Sequence, residues 1–184
     1  MAQNTANVRK RSAGSLWTAP TGTAAPTGHS SVLAAAFVDL GYASDDGVEE
    51  ERDRSLDEIR AIGGVLVRTV VTDSSLTYAF TLLETRKESI ELYYGSTITL
   101  VPPTTSVSGL VDVNPSQTGG TKSFVFDFTD GVEIKRIYIA TGEVTEVEPL
   151  TMGGEDADMF GLTIAAYPSS AGICAKIWDT TLKV

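Results

Sequence analysis

Between Ser123 and Ala140 the chain carries a pattern that an antiparallel hairpin satisfies and a helix does not. Phe124, Phe126 and Phe128 alternate with Val125 and Asp127, and Val132–Ala140 answers them across Asp130-Gly131. Successive side chains of a strand point to opposite faces, so three phenylalanines at this spacing make one apolar face. Asp-Gly suits a type I′ turn, whose two central residues both take φ > 0. The middle of the chain reads the same way. Val65–Thr72 and Leu76–Leu83 are β-branched and aromatic runs joined across Asp73-Ser74-Ser75, a hairpin signal. Val32–Leu40 predicts a strand buried on both faces. Thr97–Val101 predicts a short strand closed by Pro102-Pro103. Glu143–Val147 follows a turn at Thr141-Gly142, and Phe160–Tyr167 and Ile173–Trp178 bring the total to about nine strands.

One helix interrupts this β pattern. Thr85 and Glu88 have capping-box spacing, Leu83, Ile90 and Tyr93/Tyr94 form a stripe, and Gly95 supplies the stop, which predicts a helix over 85–94. At this length it is marginal alone and must be held against the sheet. Asn114–Thr121 and the Gly-Gly acidic stretch Met152–Asp158 predict loops.

Two segments lack either period. Residues 1–30 are rich in Ala, Thr, Gly and Pro and predict an extended N-terminal arm with Leu16-Trp17 as its anchor; residues 31–184 then form a single β-rich domain. A large amphipathic ring such as Trp17 gains by burial, which makes it a docking candidate. Asp39–Arg60 holds nine carboxylates against three arginines, more than half of the chain's net charge of −10, with Gly41, Gly47, Gly63 and Gly64 around it. This predicts a long exposed acidic loop over 39–62 with a helical turn at Leu56–Ile62. A loop of some 20 residues in a compact domain is usually functional or disordered, so it too is a docking candidate. Val65–Thr72 has one charge, Arg68, and Leu76–Leu83 has none. Strands so bare are either central in a sheet or paired with another copy, and a heterologous contact repeated about an axis closes into a ring.

The search for chemistry returns little. Cys174 and His29 are each the only residue of their type, which removes an intrachain disulfide framework and a Cys-rich zinc site and leaves any triad dependent on His29. Gly119-Gly120-Thr121-Lys122-Ser123 lacks the spacing of a phosphate loop. Tyr42–Asp53 places its glycine like a calcium loop, but Tyr42 and Ser44 stand where carboxylates belong. Of the acids, only Asp127 sits in an aromatic strand context that suggests a sugar cleft. No catalytic residue, metal or cofactor is expected. No apolar run approaches the roughly 18 residues of a membrane span, and Met1–Arg11 has no apolar stretch behind it that would make a secretory signal. The acidic balance argues against a protein that clamps nucleic acid, which draws its affinity from Lys and Arg.

Gly14-Ser15-Leu16-Trp17-Thr18-Ala19-Pro20 with Gly22-Thr23-Ala24-Ala25-Pro26, then Leu40-Gly41-Tyr42-Ala43-Ser44-Asp45-Asp46-Gly47-Val48, then Phe80–Thr85 running into Ile90–Gly95, together resemble the major tail proteins of long-tailed phages of actinobacteria. The resemblance covers residues 14–100. It implies a mainly β subunit, a β-sandwich or partly open barrel of the tail tube type with one short flanking helix, an extended arm and a long loop. It implies polymerisation as stacked, hexameric rings that conduct double-stranded DNA without binding it specifically. The implied setting is the virion tail, assembled in the host cytoplasm with tail terminator, tail tip and tape measure proteins, and without membrane insertion. An immunoglobulin-like C-terminal domain, carried by some relatives, is not expected after the last strand.

On that reading Arg9, Lys10, Arg11, Leu16, Trp17, Tyr42, Asp45, Asp46, Glu50, Arg52 and Arg54 are the candidate inter-subunit contacts. The hairpins Val65–Leu83 and Ser123–Ala140 line the lumen, with Asp127 and Glu133 contributing to an acidic wall that repels phosphate. The alternative is a soluble β-sandwich binding module for a carbohydrate or protein.

Overall fold

The computed structural model describes residues 8–101, 108–154 and 157–182. Among them are ten strands and one helix: β1 Ala13–Pro20, β2 Val38–Asp39, β3 Ala43–Arg60, β4 Leu66–Leu82, α1 Lys87–Tyr94, β5 Thr99–Val101, β6 Ser108–Leu110, β7 Lys122–Asp130, β8 Glu133–Val147, β9 Phe160–Ala166 and β10 Ala175–Asp179. All pairings are antiparallel, and the main sheet runs β2-β1-β7-β8-β9-β4-β3 with β10 also on β8. The path is open, ending at β2 and β3. β5 and β6 form a separate two-stranded sheet.

The long strand β8 gives the sandwich its two layers. Its first half, Lys135–Ile139, lies between β7 and β10, while Gly142–Val147 pairs with β9. The turn expected at Thr141-Gly142 is therefore a bend within one continuous strand. A Cβ on Gly142 would sit 3.0 Å from the Phe124 ring, so a larger residue here would have to push that ring aside by a few tenths of an ångström. Between the layers, Phe124, Phe126, Ile137, Ile139 and Leu16 meet Tyr78, Phe80, Leu82, Phe160, Leu162 and Ile164. Phe126 receives the edges of Tyr78 and Phe80 at 5.7 and 5.5 Å between centroids. The opposite face of β1, β7 and β8 presents Ala19, Val125 and Tyr138, which Phe37 covers together with Leu33, Ala34, Trp17 and Trp178.

The Phe124/Phe126/Phe128 alternation forms as expected, but its turn is shifted by one residue. Asp130 pairs with Glu133, so Gly131-Val132 is the loop. Only Gly131 takes positive φ, +61°, the sign pattern of a type II′ rather than a type I′ turn. The helix starts at Lys87, with Arg86 as an N-cap that makes no side-chain capping bond, so the Thr85/Glu88 box does not form. Gly95 ends it in the left-handed region, φ 63°, where a Cβ would come within 2.4 Å of the Gln117 carbonyl oxygen.

Four larger expectations are corrected. Val32–Leu40 is mostly irregular: only Val38–Asp39 is strand, and Val32 is fully open to solvent. The expected hairpin over Val65–Leu83 is instead one 17-residue strand, Leu66–Leu82, that runs straight through Asp73-Ser74-Ser75. The acidic stretch 39–62 is not a loop; β3 occupies 18 residues of it, with no helical turn at 56–62. Residues 8–30 are not a free arm either, and the first seven residues of the expected arm lie outside the described residues. β1 pairs with β7 along its whole length. The segment behind it is clasped by Arg136, whose Nη1 donates to the Gly28 and Ser31 carbonyls at 3.1 and 2.7 Å. The backbone hydrogen bonds of the neighbouring strand, not an apolar stripe, make β1 a strand.

Candidate assembly interface

β3 and β4 pair from Ala43/Leu82 to Arg60/Leu66, but β9 covers β4 only over Thr77–Leu82. From Arg52/Leu76 outward, the two strands stand as a ribbon with no third strand on either edge among the described residues. Eight residue steps at about 3.3 Å each carry it roughly 27 Å from the sheet. Its tip is closed by the Ala61 amide donating to the Val65 carbonyl at 2.8 Å, with Gly63 and Gly64 at φ 101° and 87°. Register shifts follow Ser55/Asp73 and Ile59/Arg68. Such bulges increase local twist.

Leu56, Ile59, Ile62, Val65, Leu66, Val67 and Val71 all lie exposed on this ribbon. A two-stranded hairpin alone in water is marginal, and seven bare apolar side chains on one projection exceed the scattered exposure of an ordinary surface. Open backbone edges add unpaired donors and acceptors. The arrangement is chemically suited to completion by another polypeptide. Its charge supports this: residues 52–76 hold four arginines and four carboxylates, so the ribbon is neutral and the rest of the chain carries the entire −10.

The expected contact residues divide sharply. Tyr42, Asp45, Asp46, Arg52 and Arg54 are exposed at the base and along the ribbon. Glu50, half-buried, forms an ion pair with Arg52 at 3.1 Å and accepts a hydrogen bond from the Tyr78 hydroxyl at 3.3 Å. Burial, then the Glu50 carboxylate, pushes the Tyr78 phenol far above its ordinary range. Lys10 is exposed. Leu16, by contrast, is 2% exposed in the subunit's own core, and Trp17 is packed in the second cluster with its indole N–H unpartnered. Arg9 lies 3.8 Å from Asp130 and 3.6 Å from Glu133, and Arg11 lies 3.2 Å from Asp179. These cations are matched within the same subunit. Burial pushes the Asp179 carboxyl up, but hydrogen bonds from Thr181 and the Arg11 and Lys135 charges outweigh it and hold it below the ordinary carboxylate range.

Asp127 makes a bidentate pair with Arg136, both bonds 2.7 Å, and Glu133 is engaged by Arg9 and by the Thr180 hydroxyl. Among the described residues no three His, Cys, Asp or Glu side chains gather where a metal would sit, and no helix is long and apolar enough to cross a membrane. Of the ribbon's apolar residues, Val65, Leu66, Val67 and Val71 lie in the bare run expected to be central or paired with another copy, whereas Leu56, Ile59 and Ile62 were not singled out as contacts. The available signal was Gly63-Gly64 between two runs of matching length, a hairpin dipeptide.

A family model described as phage tail tube protein matches residues 1–178. No curated protein matches the chain.

Proposed function

The chain belongs to the phage tail tube protein family, and from that premise we infer how this subunit enters the tube. It is a structural, non-enzymatic subunit of the virion tail that acts as an oligomer. The observation that carries the finer reading is the β3–β4 ribbon, which leaves the sandwich unaccompanied with open edges and bare apolar side chains. Neighbouring copies complete it, and repetition about an axis gives closed rings, taken here as hexameric, that stack into a channel for genome delivery.

Double-stranded DNA carries one charge per about 1.7 Å, so a basic wall would hold it by counterion release, whereas a net acidic wall lets it pass. A chain with net charge −10 suits the second. Asp127 and Glu133 contribute less to that wall than their charge suggests, because their carboxylates are matched by arginines. Tyr42, Asp45, Asp46, Arg52, Arg54 and Lys10 remain the proposed inter-subunit residues. Tail terminator, tip and tape measure proteins are the further partners, and the host cytoplasm the place of assembly.

Electron microscopy of the purified protein tests this. Tubes or rings are expected from the full chain. A variant in which Arg54–Ser74 is replaced by Asn-Gly, joining Asp53 to its partner Ser75, should melt like the parent and stay monomeric. Tubes from the shortened chain would refute the role of the ribbon.

A further inference from the structure

Residues 21–37 join β1 to β2 across the sheet face that β1, β7 and β8 turn away from the main core. Among the described residues, their backbone makes no ladder with any strand. The amides of Ser31 and Phe37 donate to the Gly28 and Ala34 carbonyls, and that of Thr23 to the Pro20 carbonyl at the end of β1. The amides of Thr27 and Gly28 turn to the Ser31 hydroxyl. The segment is folded upon itself and laid on the sheet.

Side chains hold it there. Arg136 Nη1 donates to the Gly28 and Ser31 carbonyls at 3.1 and 2.7 Å and to the Ser31 hydroxyl at 3.3 Å. Near the start of the segment the Thr21 and Thr121 hydroxyls meet at 3.1 Å, and the Tyr138 hydroxyl reaches the Thr23 carbonyl at 3.5 Å. Of the segment's own side chains only Pro26 and Phe37 are buried, with Leu33 and Ala34 half-covered. None of its residues belongs to the core between the layers. Few buried apolar contacts and no ladder bonds are the marks of a unit that opens before the rest of a fold. The closed state also leaves a donor unmet. The Trp17 indole N–H is buried without a partner in this cluster, and contact with water would satisfy it. Gly22, at φ 88°, turns the chain at one end, and the two-residue β2 anchors the other.

We propose that residues 21–37 are a latched strap, which swings from the sheet as one unit while the sandwich stays folded. Arg136, oriented by its two bonds to Asp127, is the latch. Opening bares Val125 and Tyr138 together with Trp17 and Trp178, the chain's only tryptophans. The subunit thereby holds two states that differ in whether one aromatic face meets water. This stands apart from the ribbon and does not depend on how copies assemble.

Hydrogen exchange at single-amide resolution in the full-length chain, at denaturant concentrations well below the unfolding transition, reads the opening. The bonded amides of Ser31 and Phe37 should exchange about a hundredfold or more faster than those of Phe160–Ala166. Their dependence on denaturant should also be weaker, because strap opening exposes less surface than unfolding does. Arg136→Met should speed Ser31 and Phe37 about tenfold. It should also move tryptophan emission to longer wavelength and increase quenching by acrylamide, since both reporters lie in the uncovered cluster. If Arg136→Met fails to fold, the two denaturant slopes of the parent decide alone. Ser31 and Phe37 exchanging at the rate and slope of Phe160–Ala166 would mean that the segment opens only with the whole molecule, and the strap would be refuted. Unchanged emission and quenching in a folded Arg136→Met protein would overturn the latch.

Discussion

Arg136 is 6% exposed, and its guanidinium holds Asp127 with two 2.7 Å bonds while reaching the Gly28 and Ser31 carbonyls. Asp127→Asn keeps the shape of the partner and removes its charge, leaving a cation that is almost wholly out of water. Breaking a buried pair from one side costs about 3–5 kcal/mol. The Asp127 side chain is 21% exposed, so water reaches the gap, and a discounted figure of about 2–3 kcal/mol is expected. For a chain of this size each kcal/mol moves Tm by about 2–4 °C, giving a fall of roughly 5–10 °C. Arg136→Met removes the charge as well as the pair and should cost less, about 1–2 kcal/mol for the carbonyls left without donors. The double variant should then be more stable than Asp127→Asn alone. Thermal melts of the four proteins, with hydrogen exchange over residues 22–37, measure all of this. A Tm within about 2 °C of the parent for Asp127→Asn, or strictly additive losses, would refute the clasp.

Two further outcomes follow from the same structure. Leu16→Ala should destabilise the folded subunit by about 2–4 kcal/mol, read by denaturant titration, because the side chain fills the inter-layer core; a tail-assembly defect with unchanged stability would contradict this. The Asp179 carboxyl is held below its ordinary range in the folded state, so its stabilising effect is complete above the unfolded value near pH 4 and disappears as pH falls through the folded one. The Tm difference between the parent and Asp179→Asn should therefore be present at pH 7 and shrink as pH falls below the unfolded value.

What the sequence disclosed follows the physics of each strand. β7 was legible because the face it turns to the main core is aromatic at every second residue: Phe124 and Phe126 point into that core while Val125 is buried in the second cluster, so the period of two is written in ring against aliphatic side chains. β3 was not legible because both of its faces meet water, so Asp53, Arg54, Asp57 and Glu58 can follow one another at no burial cost. Its strand character comes from cross-strand bonds to β4, which leave no mark on composition. β1 was missed for a related reason: Leu16 faces the core and Trp17 the other cluster, a pair too short to reveal a period. The helix stop at Gly95 was correct, being a local conformational need, whereas the start was displaced because Glu84 accepts from the Tyr42 amide and the Thr85/Glu88 box stays open. The projecting ribbon, the proposed assembly element, has its first strand in the segment whose charge most resembled a loop.

Strand β8 belongs to both layers, and that has a mechanical consequence. Tension applied to the ribbon passes along β4 to β9, then into the far half of β8, and through the same covalent strand to β7, β1 and β10. Because ladder bonds run perpendicular to the strands, such a pull shears many of them at once rather than peeling them singly. A tube wall made of these subunits would resist stretching as a woven fabric does, each thread anchored in two plies.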